Sequence, residues 1–290
     1  MKLVEATREL LKDISIFMTN CNKELSKHCA FLGTDEEEIL EYLEEIIEDN
    51  DHAVLCMFSE QGIHAAIAAD ICEDNKSIEI LGPFVADDIL ARDNKEWFNE
   101  MIVQIRKLAP DFYLSFFVGN ENKEIIQLLK ENHAMKEAEH CVMELFLNKE
   151  YVDCHTCRMV EETTALEIRK QIEDLHNNLF GGAYYNGATL LKLVDEEHFI
   201  QYFMEDSVVT SYAFYNKEAG EGYIDFLGTD INYRKKGHAS RLVGQVSTHL
   251  IQECCRKVRL CVSADNGPAI KLYEKNRFAV KALNSSYKMK

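Results

Sequence analysis

Residues 222–278 read GYIDFLGTDINYRKKGHASRLVGQVSTHLIQECCRKVRLCVSADNGPAIKLYEKNRF, and this stretch decides the predicted fold. Residues 222–229 suit a strand, whose side chains point alternately to two faces. Apolar residues then recur at three- and four-residue steps over 237–251, which predicts a helix with one buried face. A second strand is predicted over 257–262, and Pro268 stands where the first residue of a further helix belongs. The order strand, loop, helix, strand and helix predicts an α/β domain.

A basic loop, RKKGHA at 234–239, lies between the first strand and its helix. Backbone N–H groups converge at the start of a helix, and the helix dipole and three adjacent cations favour an anion there. The loop therefore suits a pyrophosphate. It is not a P-loop, because no Gly-Lys-Ser/Thr follows. Taken alone, the same six residues are also consistent with a solvated basic loop.

Together these elements resemble the GNAT superfamily of acyl-CoA-dependent N-acyltransferases. The resemblance rests on R-x-x-G-x-A in the loop and N-x-x-A-x-x-L-Y-x-x-x-x-F in the last helix. It extends from about Arg158 to the end of the chain and is most specific over 223–278. Arg277 stands where the family usually has glycine, and we expect Asn276 to take the left-handed turn in its place.

The resemblance also implies which residues bind the cosubstrate, acetyl-CoA. In the family, the loop amides and the first cation hold the CoA pyrophosphate, and the preceding strand exposes backbone groups to the pantetheine arm. An asparagine at the start of the last helix contacts the CoA arm. The residues implied at these positions are Leu227, Gly228, Thr229, Arg234, Lys235, Lys236, Gly237, His238, Ala239, Ser240 and Asn266.

Tyr273 is the predicted general acid. When an amine attacks an acetyl thioester, the leaving CoA thiolate needs a proton, and a phenol with a pKa of about 10 still carries one at neutral pH. The position matches the family tyrosine in N-x-x-A-x-x-L-Y. Without that context, a tyrosine packed in the core is the alternative.

Asp225 is the predicted general base. Strict alternation places it on one strand face with Leu227 and Thr229, which would turn it toward the cleft where an amine loses a proton. Glu221 is a second candidate, and a solvated carboxylate at the strand edge remains an alternative for either.

Two adjacent tyrosines are candidates for the acceptor pocket. Residues 180–191, FGGAYYNGATLL, are rich in glycine and aromatic residues, and the family shapes its acceptor pocket in this region. The resemblance therefore implies that Tyr184 and Tyr185 line the pocket. Turn and core packing explain these tyrosines equally well.

An offset of 144 residues relates the two halves of the chain. NKEIIQLLKENHA at 122–134 matches NGPAIKLYEKNRF at 266–278, with Asn first and Leu six places on, but Leu129 replaces Tyr273. The same offset places the basic loop on LARDNK at 90–95, which contains no glycine. The later copy therefore retains the chemistry, and the earlier copy retains the pattern of its fold.

We predict two tandem GNAT-like domains of the α/β (α+β) class. Each is expected to have a mixed, mostly antiparallel sheet with a splayed pair of strands and flanking helices. Residues 1–150 form a degenerate, non-catalytic domain in this prediction, and residues 151–290 form the catalytic domain. The first domain could pack on the second, help to wall the acceptor site or bind a ligand of its own.

Charge is distributed unevenly between these halves. Residues 1–150 carry 14 Lys+Arg against 32 Asp+Glu, whereas residues 151–290 carry 18 of each, so the whole net charge of −18 lies in the first half. A chain without a basic face is not expected to bind nucleic acid. The negative half would repel CoA phosphates, and negative walls near the cleft would favour a cationic acceptor.

Composition excludes several other classes. No apolar run approaches the length of a membrane span, and acidic residues interrupt the first segment, MKLVEATRELLKD, so we expect a cytoplasmic protein. The ten cysteines show no framework spacing. Cys154 and Cys157 in CHTC lack the second pair that a structural zinc site usually needs, and we expect no metal.

The sequence predicts an acetyl-CoA-dependent N-acetyltransferase. The acceptor is expected to be a primary amine, on a small molecule or a peptide, that attacks directly within a ternary complex. A monomer or a homodimer is consistent with the sequence. The alternative from another class is a non-catalytic acyl-CoA-binding or scaffold protein, which would keep the basic loop but need neither acid nor base.

Overall fold

The structure is a computed structural model that describes residues 1–48, 53–73, 76–90, 95–148 and 157–290. The chain forms two compact units. Unit 1 comprises Met1–His140 and Ala282–Lys290, and unit 2 comprises Cys141–Lys281. In the described residues, no helix is both long and apolar enough to cross a membrane.

Unit 1 is a sheet with helices on both faces. Its strands are β1 Lys2–Glu5, β2 Ala53–Ser59, β3 Gly62–Cys72, β4 Ser77–Val85, β5 Tyr113–Gly119 and part of β6 Met135–Phe146. Its helices are α1 Arg8–Asn22, α2 Glu36–Glu48, α3 Asp87–Leu90, α4 Glu96–Ile105 and α5 Lys123–Glu131. A short 3₁₀ turn covers Leu25–Lys27.

Two apolar clusters fill unit 1, one on each face of the sheet. Leu11, Ile14 and Met18 lie one helical turn apart on α1 and are buried against one face. Phe98 and Met101 of α4 are buried against the other face. Each helix therefore buries a single stripe, which explains why the acidic helix α2 keeps its carboxylates toward solvent.

Unit 2 repeats this architecture. Its strands are the rest of β6, then β7 Arg158–Met159, β8 His198–Glu205, β9 Val208–Glu218, β10 Glu221–Thr229 and β11 Lys257–Ser263. Its helices are α6 Leu166–Leu179, α7 Gly187–Leu193, α8 His238–Gln252 and α9 Gly267–Lys275, with a 3₁₀ turn at Ile231–Tyr233. Helix α8 packs on one face of the sheet, and α6 packs on the other.

Register confirms the offset of 144 residues in detail. Strand β4 pairs in parallel with β5 over 77–80 and 113–116, and β10 pairs in parallel with β11 over 221–224 and 257–260. Adding 144 to the first set gives the second. Helices α5 and α9 obey the same offset at both ends. The two halves thus share backbone geometry where they share little side-chain chemistry.

The last strands of the two halves are exchanged. Strand β12, Ala279–Met289, pairs antiparallel with β5 over 284–289 in unit 1, and β6 lies beside β11 in unit 2. The chain therefore passes between units after His140 and again after Lys281. The sequence suggested a single division after residue 150, in which each half would keep its own last strand.

Candidate functional site

Strand β10 carries the centre of the site because it bulges at Asp225. Its antiparallel register with β9 shifts between Ile224 and Phe226, so Asp225 is the extra residue. The parallel pairing with β11 covers 221–224 and ends at the bulge. A bulge bends its strand and increases the local twist. Residues 225–229 therefore run beyond the β11 pairing, and a slot opens between the two strands.

The bulge also changes which side chains share a face. Ile224 and Leu227 both pack with the cluster beneath α8, whereas Phe226 packs with the cluster beneath α6. Asp225 bonds to Tyr184, whose ring lies 5.2 Å from that of Phe226, so it faces α6. The prediction that Asp225 shares a face with Leu227 and Thr229 is wrong, because one inserted residue breaks strict alternation.

Two neutral donors hold the Asp225 carboxylate. The Tyr184 hydroxyl donates to Oδ1 at 3.1 Å, and the Asn216 amide donates to Oδ2 at 3.2 Å. Burial raises the pKa of Asp225 from 3.8 to about 6, although the bond from Tyr184 and the nearby His198 act in the opposite direction. A carboxylate with this pKa is poised to accept a proton near neutral pH.

The candidate acceptor residues are thus brought to the candidate base. Tyr184 is 65% exposed, and its ring contacts that of Tyr185 at 4.6 Å. Its phenol reaches Asp225 while its outer face remains open to solvent. Tyr185 contributes its backbone, because its carbonyl accepts a hydrogen bond from His176 at 2.8 Å.

Tyr273 lies in the second helix of the motif and is 8% exposed. Its ring packs at 5.7 Å from that of Phe278, and burial raises the pKa of its hydroxyl to about 12. The phenol therefore keeps its proton at neutral pH. Tyr223 lies near both candidate groups, since Asp225 and Tyr273 each contribute to raising its pKa after the larger effect of burial.

Asn266 begins the same helix. Its side-chain oxygen accepts the Ala269 N–H at 3.2 Å, and in unit 1 Asn122 caps Ile125 at 3.3 Å in the same way. The side-chain oxygen of Asn266 therefore caps the start of α9.

At the end of α9 the left-handed residue is Arg277, with φ +69°, and Asn276 has φ −90°. The expectation that Asn276 takes this turn is wrong. Asn276 instead forms side-chain bonds, donating to the Leu272 carbonyl at 2.7 Å and accepting from Ser240 at 2.9 Å. Those bonds hold Asn276 in place and move the turn to the next residue.

The basic loop has the backbone of an anion site. Gly237 has φ +89° and immediately precedes α8 as its N-cap residue, and it has no side chain that could cap this helix. The first N–H groups of a helix have no partner within it, so they point outward from 237–240. Arg234 lies beside them, its Nε donating to the Thr229 carbonyl at 3.2 Å. A side chain at Gly237 would meet open space.

Two side chains at the start of α8 form hydrogen bonds that stabilise the fold. His238 is buried, with Nδ1 at 3.1 Å from the Thr210 hydroxyl and Nε2 at 2.9 Å from Glu205. Ser240 donates to Asn276. With their side chains bonded within the fold, these two residues offer their backbone N–H groups to the predicted anion position. Glu205 also pairs with Lys236 at 3.1 Å, so one carboxylate holds both the loop and the start of α8.

Three contributors were missed by sequence reasoning. Asn216 lies opposite Tyr223 on β9, which becomes visible only when the register is known. His176 and Glu205 act from elements distant in sequence. Glu221, the second candidate base, lies at the start of β10 and forms ion pairs with two cations of β11, Lys257 at 2.6 Å and Arg259 at 3.2 Å.

Unit 1 lacks both candidate groups at the matching positions. Leu81 stands where unit 2 has Asp225, and Leu129 stands where it has Tyr273. Both leucines are buried in apolar clusters. The segment that matches the basic loop is 90–95, and residues 91–94 of it lie outside the described residues.

Unit 1 also fills its own slot. Cys29 forms an antiparallel bridge with Val118 of β5, where Ala30 N–H donates to the Phe117 carbonyl at 2.7 Å and Gly119 N–H to the His28 carbonyl at 3.0 Å. On the other side, Gly82 N–H of β4 donates to the Cys29 sulfur at 3.2 Å. Residues 28–30, the inserted segment, therefore lie between β4 and β5 beyond their pairing.

In unit 2 the matching residues of β11, 261–263, receive no such segment within the described ranges. Those ranges also contain no group of three or more His, Cys, Asp or Glu residues that could hold a metal ion. Cys154 and most of CHTC lie outside the described residues, and Cys157 is half-buried.

Sequence comparison agrees with this geometry. The model of the acetyltransferase (GNAT) family matches residues 173–278, which cover the second half of α6, the bulged strand, the basic loop and Tyr273. This part of the chain is similar to GNAT-family domains. Acyl transfer is the general chemistry of that family. A search of curated proteins gives no match.

Solved structures show that the GNAT fold extends over the whole chain. A GCN5-related N-acetyltransferase from Sphaerobacter thermophilus has a TM-score of 0.76 and 16% identity, covering 99% of this chain and 94% of that one. A tandem GNAT protein from the clavulanic acid biosynthesis pathway has a TM-score of 0.71 and 11% identity, with 99% and 97% covered. A putative acetyltransferase from Pyrococcus horikoshii has a TM-score of 0.62 and 12% identity, with 99% and 88% covered. The predicted tandem GNAT fold is confirmed.

Proposed function

We propose that unit 2 transfers an acetyl group from acetyl-CoA to a primary amine by direct attack within a ternary complex. The observation that carries this proposal is the half-buried Asp225 carboxylate at the bulge of β10. Its bonds come from the neutral groups of Tyr184 and Asn216, and no Lys or Arg side chain of the described residues forms an ion pair with it. A protonated amine supplies the positive charge and the proton that such a carboxylate lacks.

The residues of unit 2 fit an acyl-CoA. Uncapped N–H groups at the start of α8 suit a pyrophosphate, and Arg234, Lys235 and Lys236 add positive charge beside them. The slot beyond the β10–β11 pairing leaves Leu227, Gly228 and Thr229 next to unpaired strand edge. When bound, acetyl-CoA supplies the activated acetyl group.

Gly228 has a structural requirement of its own. A Cβ there would lie 2.8 Å from Leu179 and from Tyr212, so only glycine allows α6 to pack this closely against β10. Close packing brings the end of α6, and the loop that follows it, toward Asp225. The residue implied in cosubstrate binding therefore also shapes the acceptor side of the site.

Asp225 and Tyr273 divide the proton transfers between them. Asp225 takes a proton from the acceptor ammonium, directly or through water, and leaves a neutral nitrogen with a free electron pair. That nitrogen forms the new C–N bond as the C–S bond breaks, and the second proton that it loses on becoming an amide passes to solvent. Tyr273 gives its phenolic proton to the departing thiolate and regains one from solvent. The raised pKa of Tyr273 supports a phenol that keeps its proton at neutral pH, and a pKa of about 6 leaves the Asp225 carboxyl ionised there while making it a stronger base than an ordinary aspartate.

Catalysis is confined to unit 2 in this proposal. Leucines replace the acid and the base in unit 1, and the inserted segment 28–30 occupies the slot that a pantetheine arm would need. The charge of the first half opposes the binding of CoA phosphates. Amine-bearing small molecules and peptides are the proposed acceptors, and nucleic acid is not.

The proposal is tested by measuring thiol release from acetyl-CoA with a panel of small amines, polyamines and peptides. We expect release that depends on one amine class, with an acetylated amine detected by mass spectrometry. Tyr273→Phe should lower turnover while leaving the Kd for acetyl-CoA unchanged. Tyr202→Phe, at another buried tyrosine of unit 2, is the matched control. Binding of acetyl-CoA with no amine-dependent release would favour a non-catalytic protein.

A further inference from the structure

We propose that His176 is a positioning residue, which holds the loop 180–186 so that Tyr184 reaches Asp225 and the acceptor amine is seated beside this pair. The inference rests on the proposed function, because it assigns how the acceptor side of that site is kept in place. His176 lies near the end of α6 and is fully buried.

Both nitrogens of the His176 ring are occupied. Nδ1 lies 2.5 Å from the Tyr212 hydroxyl, and Nε2 lies 2.8 Å from the Tyr185 carbonyl oxygen. A carbonyl oxygen can only accept, so Nε2 must carry the hydrogen and donate it. Nδ1 is then the acceptor of the Tyr212 hydroxyl. These bonds fix one neutral tautomer and connect strand β9, through α6, to the loop 180–186, called the acceptor loop below.

His176 holds Tyr185, and the residue directly before it, Tyr184, is the one that bonds to Asp225. Tyr184 donates to Asp225 at 3.1 Å, and its ring packs against Tyr185 and Phe226. Tyr184 is largely exposed, so burial alone does not set its direction. The fixed Tyr185 carbonyl sets the path of the backbone, and that path aims the Tyr184 phenol at the carboxylate.

The neighbour of His176 holds the chain again just after this loop. Asn177 accepts the Gly187 N–H at 2.8 Å through its side-chain oxygen. A Cβ at Gly187 would lie 2.6 Å from the Glu173 carbonyl, so the chain approaches α6 too closely for any residue but glycine. Two consecutive side chains of α6 therefore hold the backbone at Tyr185, within the loop 180–186, and at Gly187, just after it.

The chain supplies a matched control on the opposite face of β9. Tyr215 is also fully buried, and its hydroxyl lies 2.9 Å from Nδ1 of His249 on α8. This Tyr–His pair has no bond to the acceptor loop. Tyr212→Phe and Tyr215→Phe therefore delete similar bonds in the same strand, and only the first removes support from His176.

Two substitutions at His176 separate its bonds. In His176→Gln the terminal amide takes the place of Nε2 and still donates to the Tyr185 carbonyl. In His176→Asn the amide takes the place of Nδ1 and that donation is lost. We expect His176→Asn to raise the KM for the amine about tenfold, the effect of losing one hydrogen bond to a charged group, with the KM for acetyl-CoA unchanged. His176→Gln should restore most of the loss.

A readout without turnover decides the same point. The Asp225 carboxyl is titrated by NMR in the wild type, His176→Asn, His176→Gln, Tyr212→Phe and Tyr215→Phe. The groups that act on this carboxyl are Tyr184, Asn216, His198 and Tyr223. Loss of the Tyr184 bond should raise the pKa of Asp225, because that bond favours the ionised form.

We expect the pKa of Asp225 to rise in His176→Asn and Tyr212→Phe and to stay near wild type in His176→Gln and Tyr215→Phe. Equal values in all five proteins, or equal effects of the Asn and Gln variants, would overturn the positioning role. If the wild type acetylates no amine, the proposed function fails, but the titration still decides whether His176 positions Tyr184.

Discussion

Replacing Asp225 by asparagine should make the protein more stable and less active at alkaline pH. The pKa of this carboxyl is raised from 3.8 to about 6 by burial. A raised acid pKa means that the folded protein disfavours the charged form. Because one pKa unit corresponds to about 1.4 kcal/mol, the gap of roughly two units destabilises the fold by about 3 kcal/mol once both states are ionised.

The sign and the pH range follow from the two pKa values. Below about pH 4 the carboxyl is largely protonated in the folded state and costs little. The cost grows as the pH rises through 3.8 and reaches its full value above about 6, so it is about half complete near pH 5. Asparagine carries no charge but keeps one acceptor oxygen, so one of the two donors loses its partner at a cost of about 1 kcal/mol.

Asp225→Asn should therefore gain about 2 kcal/mol near pH 8 and well under 1 kcal/mol near pH 5. Native-state hydrogen exchange of the β9 and β10 amides at increasing urea measures this locally, without requiring both units to unfold together. The exposed Asp174 on α6 provides the control Asp174→Asn, which should change stability little at either pH. The value of kcat/KM for the amine should fall about a hundredfold to ten-thousandfold in Asp225→Asn. A stability change that does not depend on pH would refute the buried-charge reasoning.

Two further predictions concern unit 1. Leu129→Tyr, made in a Tyr273→Phe background, should restore no acetyl transfer in the thiol-release assay, because the inserted segment 28–30 still occupies the slot; recovery of turnover would contradict this. Leu129 is fully buried, so the added hydroxyl should also lower stability by about 1–3 kcal/mol, measured by urea unfolding. Iodoacetamide at neutral pH should alkylate the exposed Cys254 and spare Cys29, because burial raises the pKa of the Cys29 thiol to about 11. Labelling is followed by mass spectrometry. Early labelling of Cys29 would mean that the inserted segment leaves the slot.

Much of the fold could be predicted from the sequence, because its signals are periodic. The helix over 237–251 and the strands around it follow apolar spacing, and the offset of 144 residues survives in the strand register of both halves. The exchange of β6 and β12 could not be predicted. Strands β6 and β12 occupy matching positions at the offset of 144 residues, so the repeat is equally consistent with each strand pairing in its own half or in the other half.

The candidate site shows a similar division. The basic loop and Tyr273 belong to a local motif, and motif spacing is visible in one sequence. The Tyr184–Asp225 bond depends on a bulge that shifts β10 by one residue against β9, and side-chain alternation alone predicts the opposite grouping. The inserted segment 28–30 is held mostly by backbone bonds, which leave little trace in residue type.

The most direct test of the account is the number of acetyl-CoA molecules that each chain binds. Titration calorimetry should give one site in the wild type and none in Gly237→Glu, which places a carboxylate at the uncapped start of α8. Gly220→Glu is the matched control, since Gly220 also has positive φ and open space around it, in the β9–β10 turn. The account predicts one site that survives in Gly220→Glu and is lost in Gly237→Glu. Two sites per chain, or a site unaffected by Gly237→Glu, would contradict it.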